Sequence, residues 1–295
     1  MHLALLALSF FSALAFTSFA QTPPTGPTPV DANITTTVRP LGTDASDGSS
    51  RSEPPAVRDD RPVEPGKQPL PKWAAYTPRP EPTPAKTTGE RFHWKPAIAQ
   101  SLAFLALQQG YRMAIEEKTQ RELKGPFFHD WFVSVSHLKG WDDGGRFFTN
   151  YMAHPTQGSI TNRIFINNSD NAKRQVFGSS KAYWRSRFKA MAWTAIWSAQ
   201  FELGPISETS IGNVGKDLLP NGRSKETYED LFNTPVLGFG VTVAEDALDR
   251  YILAEWLEKR GRHRAAVKML RTVLTPTLTF TNVLRLRVPW YRDNR

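Results

Sequence analysis

Proline distribution divides this chain more sharply than any other feature. Fifteen of its 23 prolines fall between residues 21 and 90. Proline fixes φ and cannot donate to a helix or sheet ladder. The same stretch has almost no aliphatic run with which to offset the entropy of ordering. Residues 21–90 therefore read as a disordered Pro-rich linker, with short polyproline segments around residues 23–29 and 78–84. It is a spacer, or a tether crossing cell-wall material. The folding problem is confined to residues 91–295, long enough for one hydrophobic core.

Ahead of the linker, residues 3–19 form a continuous apolar run that ends in Ser18-Phe19-Ala20. Small residues at Ser18 and Ala20 suit signal-peptidase cleavage before Gln21. The run also approaches the ~20 residues that span a bilayer, so an uncleaved anchor is the alternative. Residues 1–20 are expected to be a signal peptide, which places the protein in the periplasm or cell envelope, with outer-membrane association included. The chain has no cysteine. That excludes disulfides, thiolate metal sites and a lipid-modified cysteine.

The net charge of +9 is unevenly spread. Residues 1–90 carry 8 Lys/Arg against 9 Asp/Glu, which leaves 29 against 19 for residues 91–295. The last forty residues hold 10 Lys/Arg and 2 Asp/Glu. Such a basic patch suits phosphate-rich or otherwise anionic partners. Export disfavours nucleic acid, which leaves anionic lipid or an envelope polymer.

Within residues 91–295 the pattern predicts one mainly α domain. Pro96 suits a first helical position, and apolar residues at 98, 102, 105 and 106 continue a helix over residues 97–117. Residues 127–138 form a short aromatic segment, and residues 142–145 a cap-like turn. Two short helices are expected over residues 147–152 and 157–165, separated because Pro155 biases His154 away from helical geometry. Residues 181–203 give the clearest helix. Its middle is apolar nearly all round, so it is expected to be buried on most sides and to centre the domain. A long loop follows over residues 204–225. Residues 235–240 read as a hinge into a helix over residues 241–259, followed by a basic amphipathic helix over residues 262–274. Residues 277–288 alternate like a strand, yet Thr275-Pro276 is a good helix start, and helix is favoured.

Several catalytic templates fail. Gly215-Lys216-Asp217 lacks the upstream Gly and the Ser/Thr of a phosphate loop, and Gly238-Phe239-Gly240 lacks a third Gly and a strand–helix–strand setting. No His-Glu-x-x-His, Gly-x-Ser-x-Gly or Ser-x-x-Lys is present. No cofactor is implied. The unusual features are carboxylates at positions that look buried. Glu202 falls on the helical line Phe188, Ala192, Ala195, Ala199, and Glu245 on the line Val241, Leu248, Ile252. A buried carboxylate requires partners. Candidates are Arg146, Arg163, Arg185, Arg250, His154 and donors in the loop over residues 207–213. The favoured reading is structural hydrogen bonding. The alternatives are acid–base chemistry by His154, Glu202 and Glu245, and a metal site from His154, Glu202 and Asp230, for which no ligand pair has diagnostic spacing. Trp193 and Trp197 suit a core. Trp290 and Tyr291, beside Arg285, Arg287 and Arg292, suit a membrane interface.

His154-Pro155-x-x-Gly158-Ser159, a Trp-rich helix ending Phe201-Glu202, then Ser207 to Asn213, and finally Asp230-Leu231-x-x-Thr234-Pro235-x-x-Gly238 together resemble a family of uncharacterised bacterial envelope proteins, a domain of unknown function. The match covers residues 141–245. In that family's pattern a Gly-Glu often follows the last Gly; here Val241 follows Gly240 and Glu245 comes later. The resemblance implies a membrane-associated helical domain and brings no activity. The expected function is an exported, envelope-associated module that binds a membrane surface or another anionic component through Arg285, Arg287, Trp290, Tyr291 and Arg292. The alternative is an envelope lipid or glycan hydrolase. Oligomeric state is left open.

Overall fold

Helix boundaries in this protein follow local signals, while the choice of inward face does not follow hydrophobicity. The computed structural model describes residues 90–141, 147–222, 224–225, 227–259 and 264–293. The expected signal peptide, the linker up to residue 89, the turn at 142–145 and Arg146 lie outside the described residues. The helices are α1 Trp94–Ile115, α2 Glu117–Glu122, α3 Phe127–Ser136, α4 His154–Asn168, α5 Lys181–Leu203, α6 Tyr228–Leu248, α7 Arg264–Leu274 and α8 Pro276–Leu284. A π-helical segment, Thr149–Ala153, runs into α4, and another, Asp249–Glu258, continues α6. The mainly helical class holds, with no strand among the described residues beyond isolated bridges of Phe92 to Ser169 and Leu218 to Ser224.

Ser180 starts α5 by accepting the Tyr183 N–H at 3.2 Å, an N-cap that satisfies one of the helix's free donors. Thr275-Pro276 starts a helix, as favoured, and the alternation that followed it ends with α8 at Leu284.

Two expectations built on proline are corrected. His154 is helical, with φ −60° and ψ −44°, so the two short helices expected on either side of it are one continuous element. The wide π turn just before it gives the Pro155 ring room, and the continuous element forgoes the one hydrogen bond that Pro155 cannot donate. Pro235 lies inside α6 rather than at a hinge. α6 is held to α4 on both sides of it, through Asp230–His154 before and Asp246–Arg163 after. That packing keeps the helix continuous despite the lost hydrogen bond.

The domain is arranged about α4, which packs against α1, α5, α6 and α8. The expected centre, α5, is instead one wall. α4 and α6 cross at Gly158 and Gly238, where a Cβ on Gly158 would sit 1.8 Å from the Thr234 carbonyl oxygen and one on Gly238 2.7 Å from Gly158. Only glycine permits that approach, a device of closely packed helices that is common in membranes.

Close approach brings polar groups together. Ser159 Oγ lies 3.0 Å from Thr242 Oγ1 and 2.8 Å from Thr277 Oγ1. The Asn162 amide donates to Thr242 Oγ1 at 3.1 Å and accepts from the Thr194 hydroxyl at 2.7 Å. Among the described buried residues, polar side chains outnumber apolar ones by more than two to one. The apolar clusters are small: Phe104, Ile160, Ile164 and Phe280 on one side of α4, and Ile166, Ala172 and Ala190 on another.

The complement of a polar interior is an apolar exterior. On α5 the exposed line is Phe188, Ala192, Ala195, Ile196 and Ala199, while Arg187, Thr194, Ser198 and Glu202 turn inward. Glu202 is thus buried, as expected, but opposite the apolar line it was assigned to. Glu245 likewise turns inward with Thr242 and Asp249, while Leu248 and Ile252 are exposed. On α5 and α6 the polar line faces neighbouring helices and much of the apolar surface faces outward, although Tyr183, Ala190, Trp193 and Phe201 of α5 are buried as well.

Candidate functional site

The four long helices place their charges at two levels, with a charge-free band between them. No Lys, Arg, Asp or Glu occurs over residues 96–111 of α1, 155–162 of α4, 190–201 of α5 or 231–244 of α6. These stretches run from eight to sixteen residues, about 12–24 Å of helix rise. The outer wall of the band is formed by α1, α5 and α6. Trp94 of α1 meets Trp193 of α5 at 6.0 Å, and Phe188 of α5 stacks on Phe239 of α6 at 5.1 Å. Its exposed side chains include Leu102 at 48 %, Ile196 at 67 % and Phe232 at 47 % exposure.

At one end of the band stands a cluster around His154. Its Nδ1 lies 3.2 Å from Thr234 Oγ1 and 3.7 Å from Glu202 Oε1, and its Nε2 lies 3.3 Å from Asp230 Oδ1. The Thr234 hydroxyl donates to the Asp230 carbonyl at 2.9 Å, so its lone pair faces the imidazole. Three helices supply the cluster: α4 gives His154, α5 gives Glu202 and α6 gives Asp230 and Thr234. The loop after α5 is tied to the same place, because Thr209 donates both its hydroxyl, at 2.8 Å, and its backbone N–H, at 3.2 Å, to the Glu202 carbonyl. Sequence reasoning named His154, Glu202 and Asp230 together, and the structure brings them together. It provides no support for a metal there: among the described residues no group of three or more His, Cys, Asp or Glu is arranged to hold an ion.

Glu245 belongs to a separate network at the other end of the band. It accepts from Arg163 Nη2 at 3.2 Å, from the Thr277 hydroxyl at 2.6 Å, and from the Thr277 and Leu278 N–H groups at 2.8 and 3.3 Å. The carboxylate of α6 therefore caps the N-terminus of α8, where exposed N–H groups and the helix dipole favour negative charge. Asp246 beside it accepts from Arg163 Nη1 at 2.6 Å, Arg187 Nε at 2.7 Å and the Tyr183 hydroxyl at 2.9 Å. Burial pushes the Asp246 carboxyl up, but the two guanidiniums outweigh it and hold the group below the usual carboxylate range. At Glu245 burial wins over the pull of Arg163 and Thr277, and the carboxyl is raised. Burial would lower Arg163, yet Asp246 and Glu245 together raise it. Two cations and two carboxylates close a buried network. Arg187 and Asp246, which hydrophobic periodicity gave no reason to single out, are its centre.

The five proposed C-terminal binding residues have different fates. Arg292 is buried: Nε donates to Asp249 at 2.8 Å and Nη2 to Thr275 Oγ1 at 2.7 Å. Arg285 is largely covered and donates to Asn282 at 2.8 Å and to Asp293 at 2.6 Å. These two fasten the C-terminal segment to the bundle. Arg287 is exposed, with its guanidinium 5.2 Å from the Tyr291 ring. Trp290 is half-buried under Lys268 at 5.2 Å, and Tyr291 is half-buried. Of the expected partners for the carboxylates, Arg163 and His154 serve. Arg185 is exposed, and Arg250 bonds the Phe177 carbonyl and Glu255.

Comparison with protein-family models, curated proteins and solved structures gives no match for the chain.

Proposed function

We propose that this domain is a membrane-seated module of the cell envelope, with the wall of α1, α5 and α6 in contact with lipid. One observation carries the reading: a polar, hydrogen-bonded interior is combined with an apolar, charge-free outer wall. In water that arrangement forgoes about 25 cal/mol for each Å² of apolar surface left uncovered, and contiguous apolar surface of this kind marks an interaction site. In lipid it is the expected arrangement, since helices there associate through small residues and hydrogen bonds. No helix of the described residues is long and apolar enough to cross a membrane, so the contact is a seating of the wall. Basic residues stand at one edge of it, with Lys95 and Arg185 exposed and Lys189 paired with Glu90. Leu286, Arg287 and Val288 add a second exposed apolar and basic point. Anionic headgroups fit both, and an exported chain would meet them in the envelope.

Flotation of the purified full chain with vesicles tests this. Wild type is expected to float with vesicles of neutral lipid, and more completely with anionic lipid at low salt. Ile196→Asp and Leu102→Asp should abolish flotation while leaving thermal stability nearly unchanged, because both sites are exposed. A wild-type chain that stays monodisperse without detergent and ignores every vesicle overturns the proposal.

The hydrolase reading retains one supporting observation, the convergence of His154, Glu202 and Asp230. It loses Glu245, which is occupied in holding α8.

A further inference from the structure

Between α1 and α5 the lipid-facing wall is interrupted by a crevice. Its floor carries Ser101 from α1, Ser198 from α5, and Thr161 and Gln157 from α4. Phe104 and Leu105 line one side, Trp197 and Phe201 the other, and Trp197 and Gln157 are half-buried where the crevice meets the surface. Ser101 is 3 % and Ser198 2 % exposed, and neither hydroxyl meets a hydrogen-bond partner among the described residues. Buried hydroxyls without partners are costly to the fold. Two of them, from different helices, line one small space; Gln109 and Trp193 of the same band also carry buried polar atoms without a partner, but neither lines the crevice.

We infer that this crevice binds the uncharged polar group of an amphiphile, an ester carbonyl or hydroxyl, with the attached chain lying along the apolar faces of α1 and α5. The inference rests on the membrane reading, which supplies the ligand from the side. The lining decides its class. It contains no Lys, Arg, His, Asp or Glu, so a charged headgroup would enter without a counter-charge and at a large desolvation cost. The enclosed part admits about one water-sized group, which suits a single carbonyl or hydroxyl rather than a sugar or a phosphate. Serine hydroxyls both donate and accept, and so match either. The aromatic rings supply the apolar contact for the adjoining chain. Ser159, Thr194 and Thr242 are equally buried hydroxyls, but they bond one another or Asn162. Ser101 and Ser198 differ in facing the crevice.

The probe is a monoacylglycerol with a photoactivatable acyl chain, at trace level in neutral vesicles carrying the full chain. Crosslinks are expected on the crevice-lining peptides of α1 and α5, saturable and competed by unlabelled monoacylglycerol. A photoactivatable fatty acid, ionised at pH 8, should label the whole apolar wall without saturation. Ser101→Ala and Ser198→Ala should each weaken saturable labelling about fivefold, with an unfolding temperature no lower than that of wild type, since neither hydroxyl bonds the protein and each is costly to bury. Ser198→Leu, which fills the space, should abolish it. Labelling that is unsaturable, or identical in the double Ala variant, overturns the inference and leaves the crevice to water alone. Failure of the membrane reading is seen separately as loss of flotation. In that event the same competition in detergent solution still decides whether the crevice takes the probe.

Discussion

At the scale of single residues, the buried carboxylates divide by what they hold. Glu245 accepts from four donors, two of them backbone N–H groups of α8. Glu245→Ala is expected to destabilise the fold by about 3 kcal/mol, because it leaves Arg163 short of a counter-charge and the start of α8 uncapped. Glu245→Gln, which keeps an acceptor, should cost less. Glu202→Ala should cost about 1–3 kcal/mol. Chemical denaturation of both would check this, and full stability combined with lost cellular function would revive the acid–base reading. Asp246 gives a pH dependence. Its folded-state value lies below its unfolded one, so its contribution is complete above the ordinary carboxylate range, about pH 4. It is lost as pH falls through the depressed value. Glu245 is shifted the other way, so its window lies above the ordinary range and does not cancel this acid limb. Melting temperature followed from about pH 4 down to pH 2, below the window of Glu245, should fall for wild type and change less for Asp246→Asn, which starts lower. Arg292 also changes role: Arg292→Gln is expected to destabilise by removing the guanidinium from buried Asp249, whereas Arg287→Gln should leave stability alone and weaken anionic-vesicle binding by ~1 kcal/mol.

At the scale of elements, the α4–α6 contact decides the architecture. Gly158→Ala would force a methyl group into the Thr234 carbonyl. Backbone cannot move aside as a flexible side chain can, so the helices must separate, and the hydrogen bonds of Ser159, Asn162 and Arg163 to α6 would lengthen together. Loss of several kcal/mol of stability, or failure to fold, is expected. Gly240→Ala, a control on the same helix with nothing within 4 Å of the new methyl, should be tolerated. A Gly158→Ala protein as stable as Gly240→Ala would refute this account of the crossing. The two prolines belong to this scale too. Each was read as a helix boundary from local conformational preference, and each lies within a helix because tertiary contacts on both sides outweigh the one hydrogen bond it removes.

At the scale of the whole molecule, an interior rich in Ser, Thr, Asn, Arg and Asp is paired with an exterior of Ile, Leu, Phe and Trp. Such a domain should need detergent or lipid to remain monodisperse, and its unfolding temperature should rise when vesicles are added, since a partner that binds only the folded state stabilises it. Differential scanning measurements with and without vesicles would read this directly, and equal temperatures would count against the seating of the α1–α5–α6 wall.

Element type was legible in the sequence because its signals are local. Thr275-Pro276 and the nearly all-round apolar middle of α5 mark helices whatever surrounds them, and α5 has the bounds read from the pattern. His154, Glu202 and Asp230 were also recognisable as a group, since titratable side chains amid apolar neighbours are few. The inward face was not legible. Periodicity arguments place apolar residues inside, a rule that holds when water is the outer solvent and the core is hydrophobic. Here the glycine crossing brings α4 and α6 so close that the short polar side chains of Ser159, Asn162 and Thr242 fit and bond between them, and large apolar groups of α5 and α6 such as Phe188, Ile196 and Phe232 are left outside. Phe188 and Glu202 thus exchange the sides that hydrophobicity assigns them, Arg292 is buried although the sequence around it looks like a surface belt, and the pairing of Arg163 and Arg187 with Asp246 joins residues too far apart in the chain for any local pattern to reveal.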